Sequence, residues 1–308
     1  MSKPHFSYLY ILLLLISFNS KAQLSDEQTL KIDSLKEVIS TAKHDTIKIN
    51  ALVAWDNIIY VSDPELDLEL NQQIINISNS NLPAELNVSK LKKFKKSLGN
   101  SYNNIGLICE DQGNYEKALE CHSKSLGIKK EIGDKKGMAS CYNNIGNIYK
   151  DQGNYEKALE YHSKALAIFE EFGDKKGMAD SYNNIGNIYA IQGNYEKALE
   201  YYSKSLSIRK ELGDKIGMGI SYNGIGVIFH EQGNYEKVLE YFSKSLAIKE
   251  EIGDKKGMAS CYNNIGNIYF DQGNYDKALE YYSKSVSIRK EIGDKKGIAY
   301  SYNNIGNI

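Results

Sequence analysis

The chain has 308 residues, a formal net charge of −1, 42% hydrophobic and 25% charged residues, and only three prolines. That composition is neither fibrous nor disordered and suits one or two globular domains. With near-neutral charge and no basic arm or Lys/Arg stripe, the chain lacks the electrostatic footprint of a protein that grips a phosphate backbone, so no nucleic-acid partner is expected.

In chain order the first element is an apolar run, YLYILLLLISF from Tyr8 to Phe18, behind Lys3 and ahead of Ser20-Lys21-Ala22. This pattern predicts a signal peptide over 1–22, cleaved near Ala22, and hence an exported protein, periplasmic or secreted. A retained anchor is the alternative, but a bilayer takes about 20 apolar residues, so no membrane insertion of the mature chain is expected.

Residues 23–98 read as a degenerate helical cap. INALVAWDNIIYV and DPELDLELNQQIINIS predict two helices interrupted at Pro64, and Pro83 and the KLKKFKK run precede the regular part. The tripeptides starting at Asn76 and Asn87 match glycosylation sequons and are read as chance matches.

From 99 to 308 the chain repeats itself with a period of 40: GNYEK begins at 113, 153, 193 and 233, and GNYDK at 273. GDKKGMASCYNNIGNIY occurs unchanged at 133–149 and 253–269, a sign of recent duplication. Each unit predicts two helices of roughly 17 residues. Gly153 or Gly173 ends one helix in the left-handed conformation, and Asn154 or Asp174 caps the next.

On the first helix of a unit, A, Tyr182, Ile185, Gly186 and Tyr189 share one face at about 100° per residue, with Ile188 at its border. The second, B, carries Ala198, Tyr202 and Ser205, and Gly186 and Ala198 are small where A and B must meet. Neither helix hides its apolar face alone, so units must stack.

This spacing of aromatic, aliphatic, Gly, aromatic, then Ala and aromatic resembles the tetratricopeptide repeat in its 40-residue variety, similar to kinesin light chains and bacterial signalling proteins. The resemblance covers 99–308 as five full repeats and a truncated sixth. It implies an all-α fold, a right-handed superhelical solenoid of antiparallel helix pairs. Lys210 stands where the family has a helix-B proline, and tyrosine replaces its tryptophan.

Asparagine disfavours helix interiors, at a cost of up to about 0.7 kcal/mol relative to Ala, yet it recurs in every A helix. From Tyr182 at zero, Asn183 and Asn187 fall at about 100° and 140°, away from the apolar face. In the resembled family helix A lines a concave groove that holds peptides. By that resemblance Asn103, Asn143, Asn147, Asn183, Asn187, Asn223, Asn263 and Asn267 are the candidate peptide-binding residues, with Leu107 and Val227 as apolar interruptions. Duplication of an ancestral helix, with amides serving only solvation or inter-helix bonds, is the competing reading.

No P-loop, dinucleotide fingerprint, HExxH, CxxC or nucleophile elbow is present, so neither catalysis nor a cofactor is expected. His122 and His162 occupy the place of Tyr202, Phe242 and Tyr282 and read as packing groups, not metal ligands. Cys141 and Cys261 replace Ser181, Ser221 and Ser301, and Cys109 and Cys121 replace aromatics, which favours buried free thiols over a local bridge. Ending at SYNNIGNI leaves an apolar face uncovered, so a truncated chain is expected. Two functions remain: an exported scaffold for a peptide or partner protein, or the sensor part of a signalling protein with a histidine kinase, cyclase or DNA-binding output beyond residue 308.

Overall fold

The computed structural model describes residues 24–59, 62–82 and 88–308. The predicted signal peptide at 1–22, Pro83 and Asn87 lie outside them. The regular elements among the described residues are all α-helices, and the chain divides into two compact units, 1–148 and 149–308.

The first unit contains α1 (Asp26–Thr41), α2 (Asp45–Ile59), α3 (Pro64–Asn81), α4 (Val88–Asp111), α5 (Tyr115–Glu131) and most of α6 (Lys135–Asp151). Each of α1 to α4 packs on the next helix in the chain. The break expected at Pro64 is where α3 starts: proline sits in the first turn, and the Asp63 carboxylate accepts from the Leu66 N–H at 3.3 Å. Ile32, Leu52, Leu70, Ile74 and Phe94 form one core cluster and Leu98, Ile105, Ala118 and Ile148 belong to another.

The second unit contains α7 (Tyr155–Phe172), α8 (Lys175–Ile191), α9 (Tyr195–Leu212), α10 (Lys215–Glu231), α11 (Tyr235–Glu251), α12 (Lys255–Asp271), α13 (Tyr275–Glu291) and α14 (Lys295–Gly306). Each again packs on its neighbour in the chain. The turns are built as their residues require. Gly153 and Gly173 take φ of 75° and 64°, Asn154 Oδ1 accepts from the Lys157 N–H at 3.2 Å, and Asp174 Oδ1 accepts from the Gly177 N–H at 3.1 Å.

Close approach of A and B rests on the small residues. Ala198 is fully buried, and a Cβ added to Gly186 would lie 2.9 Å from the Tyr202 ring. Tyr202, Leu206, Ile225 and Ile228 continue this seam into one core cluster, and Val238, Phe242, Ile265 and Ile268 form the next. Ile188, expected at the border of the apolar face, is fully buried. All four cysteines are free and buried. Across the surface, Lys175–Glu211, Lys215–Glu251 and Lys255–Glu291 each pair the start of an A helix with the end of its B helix. Among the described residues no helix is long and apolar enough to cross a membrane.

Candidate functional site

The recurring asparagines form inter-repeat bonds. In the first unit Asn144 Nδ2 donates to Asn103 Oδ1 at 3.0 Å, and in the second Asn264 Nδ2 donates to Asn223 Oδ1 at 3.3 Å. The first amide of one A helix thus accepts from the second amide of the A helix one repeat later. A bond of this kind is worth about 0.5–1.5 kcal/mol net, enough to offset the helix-propensity cost of one or two asparagines.

Two acceptors in this register are empty. Asn183 is 8% exposed and Asn263 2%, and neither Oδ1 has a partner among the described residues. Gly224 occupies the register from which an amide would serve Asn183. Asn304 turns its Nδ2 to Asn267 Oδ1 instead, at 3.3 Å.

Asn187 and Asn267 are half-buried and use their carbonyls inside the fold, accepting from the hydroxyls of Tyr202 at 2.7 Å and Tyr282 at 2.8 Å. Burial pushes both tyrosines up to about 12, so they remain protonated donors at any physiological pH. The Nδ2 groups of Asn187 and Asn267 have no acceptor among the described residues. Each is a hydrogen-bond donor held in place by its own carbonyl.

The eight predicted residues are therefore placed differently from one another. Asn103, Asn183, Asn223 and Asn263 stand at the junction between successive A helices of their unit, with Asn183 and Asn263 buried. Asn143 and Asn147 are half-buried in the first unit, and Asn187 and Asn267 present donors in the second. Leu107 is half-buried and Val227 is 41% exposed.

The sequence reading missed the second amide, Asn104, Asn144, Asn264 and Asn304. It lies at about 200° on the wheel that put Asn183 at about 100°, which is nearer the pole opposite the A/B seam. That angle was the available signal.

The first unit adds a polar cavity of about 280 Å³ whose lining includes Asp56, Asn57, Asn71, Asn100, Asn103 and Lys129. Asp56 takes the acceptor place in the ladder, receiving Asn104 Nδ2 at 3.2 Å, while Asn71 Nδ2 donates to Asp56 Oδ1 at 2.7 Å and to Asp67 Oδ1 at 2.6 Å. Asp67 is fully buried, and this desolvation, with the Asp56 carboxylate beside it, pushes its carboxyl up to about 8. At neutral pH Asp67 keeps its proton. Lys129 bonds to Asn100 and, at 3.1 Å, to Asp134.

His122 and His162 are fully buried, and burial pushes both down to about 4, so they stand neutral. His122 Nδ1 lies 3.1 Å from Asn103 Oδ1 and packs over Gly106, where an added Cβ would meet the ring at 2.6 Å. Phe242 meets Gly226 at the same 2.6 Å, so the imidazole fills an aromatic's place.

Family profiles described as tetratricopeptide repeat match residues 97–171 and 177–251, and residues 259–291. Together they cover more than half of the chain. No curated protein matches it.

Among solved structures, aspartyl phosphate phosphatase F from Bacillus subtilis has a TM-score of 0.66 at 18% identity, covering 91% of this chain and 79% of that one. A signal-transduction ATPase with a tetratricopeptide-repeat sensor from Pyrococcus horikoshii gives 0.62 at 18% identity, covering 98% of this chain and 49% of that one. A Rap protein complexed with competence and sporulation factor gives 0.61 at 16% identity, covering 90% and 80%. This chain spans about half the length of the ATPase. At such identities the likeness is one of fold, and repeats of this kind hold protein partners and are typically non-catalytic. Repeat by repeat, from matched profiles and from paired helices, the chain belongs to the tetratricopeptide-repeat family.

Proposed function

We propose that the chain is an interaction scaffold that receives a peptide or partner protein on the asparagine-bearing face of its A helices. The carrying observation is the pair of Nδ2 donors on Asn187 and Asn267, whose carbonyls are fixed by Tyr202 and Tyr282. Such donors suit the carbonyls of a partner backbone, which every sequence offers, so recognition by them is tolerant of side-chain identity.

In this reading 23–98 is a cap, 99–308 is the repeat array, and the scaffold itself neither catalyses a reaction nor binds nucleic acid. It works outside the cytoplasm once residues 1–22 are removed. The match to an ATPase with a tetratricopeptide-repeat sensor favours a second reading, in which this array senses for an output domain beyond residue 308.

The test is an isosteric exchange. In the double variant Asn187→Asp, Asn267→Asp each tyrosine keeps an acceptor oxygen, while the outward donor becomes an acceptor that repels carbonyls. Peptides of 16 residues, selected from a random library on the full chain, are expected to bind this variant at least tenfold more weakly with helicity unchanged. Equal affinity would remove the amides from recognition.

A further inference from the structure

One A helix departs from all the others along a single line. On α10 that line holds Ile216, Ile220, Gly224 and Val227; α8 has Lys176, Asp180, Asn184 and Asn187 there, and α12 has Lys256, Ser260, Asn264 and Asn267. Positions i, i+4, i+8 and i+11 span about 80° of a helix, so the four replacements form one stripe. It faces outward: Ile216 is 59% exposed, Ile220 45% and Val227 41%. In an array of near-copies, apolar replacement at every polar place of one face is a concentrated change, and three exposed aliphatics in line stabilise nothing inside the fold.

We infer that α10 is the docking strip for an amphipathic helix of a partner protein, with aliphatic residues along the contact and acidic residues toward the Ile216 end. The direction of the stripe decides the occupant's shape. It runs along the helix axis for about 16 Å at 1.5 Å per residue. An extended peptide crossing the A helices would meet only one or two of its positions.

A helix laid alongside meets all three aliphatics, ridge into groove, while Gly224 makes room for the Tyr202 ring, 2.9 Å from where its Cβ would stand. At Gly224 the register of an amide donor is also vacant, which leaves the buried Asn183 Oδ1 without a partner beside the strip.

Charge decides the occupant's polarity. Lys175, Lys215 and Lys255 are paired with Glu211, Glu251 and Glu291, and Asp180, Asp214, Asp254 and Asp294 with Arg209, Lys249 or Arg289. Lys176 and Lys256 hold the place of Ile216 on the neighbouring A helices; Asp180 and Asp254 lie within electrostatic range of them, but no carboxylate among the described residues forms a salt bridge with either. They favour an acidic partner and repel a second copy of this chain, which would bring the same lysines. Three half-covered aliphatics also fall far below the roughly 800 Å² per partner of a stable dimer.

The inference rests on the reading that partners bind the A-helix face, not on the amide donors. Its test restores α10 to the pattern of α12 with Ile216→Lys, Ile220→Ser and Val227→Asn in the full chain, residues that α12 already carries in the same fold.

Sixteen-residue peptides selected from a random library on the wild-type chain are expected to carry aliphatics at i, i+4 spacing with acidic residues. They should bind the restored variant at least tenfold more weakly and lose binding when a central residue is replaced by proline. Peptides that bind both proteins equally, that tolerate the proline, or that never emerge in an α10-dependent form would overturn the proposal. Sensitivity to Asn187→Asp, Asn267→Asp without sensitivity to the α10 restoration would sink this inference alone and leave the amide reading standing.

Discussion

His122 and His162 tie stability to acid pH. Each falls from 6.5 to about 4 on burial, so between those values the unfolded chain binds protons that the folded chain refuses. Their contribution to stability is therefore undiminished above pH 6.5 and falls as pH drops toward 4, by on the order of 3 kcal/mol per histidine. Thermal melts of the double variant His122→Phe, His162→Phe should lose most of this slope, because Phe242 shows that a phenyl ring fits the place. An unchanged slope would locate the acid sensitivity elsewhere. Asp67 acts in the opposite sense: its carboxyl is raised to about 8, so folding retains a proton that the unfolded chain gives up above pH 3.8, and stability declines as pH climbs toward 8. Asp67→Asn keeps an oxygen for the Asn71 amide and needs no proton; its melting temperature should exceed wild type at pH 8 by more than at pH 5.

At the scale of the element, two glycines of the same type act in opposite directions. Gly186→Ala places a methyl 2.9 Å from the Tyr202 ring and should cost about 1–3 kcal/mol by overpacking. Gly127, in the helical interior of α5, has nothing within 4 Å of an added Cβ, so Gly127→Ala should stabilise by about 0.5–1 kcal/mol. Denaturant titration of the two variants checks both signs. The helices themselves were legible in the sequence because their ends are local chemistry: Gly153, Asn154, Gly173 and Asp174 do the work their types predict. What faces what was less legible. A wheel drawn from Tyr182 gave angles about one helix but held no neighbour, so it showed neither the burial of Asn183 nor the bond from Asn264 to the neighbouring A helix. The apolar line of α10 was visible only at Val227, since reading it required knowing that Ile216, Ile220 and Val227 all look outward.

At the scale of the molecule, period dominates. Forty-residue self-similarity foretold helix pairs packed on their neighbours, and the tetratricopeptide-repeat profiles fall on the same stretch of chain. The buried Asp56–Asn71–Asp67 cluster had no periodic signature, because it joins residues of two degenerate helices that only the fold brings together. The account's central claim is that partners are received on the A helices. Hydrogen exchange of the full chain, with and without a selected 16-residue peptide, tests it most directly. Protection gathered on α8, α10 and α12, with α9, α11 and α13 unchanged, is the predicted result; protection confined to α9, α11 and α13 would contradict it.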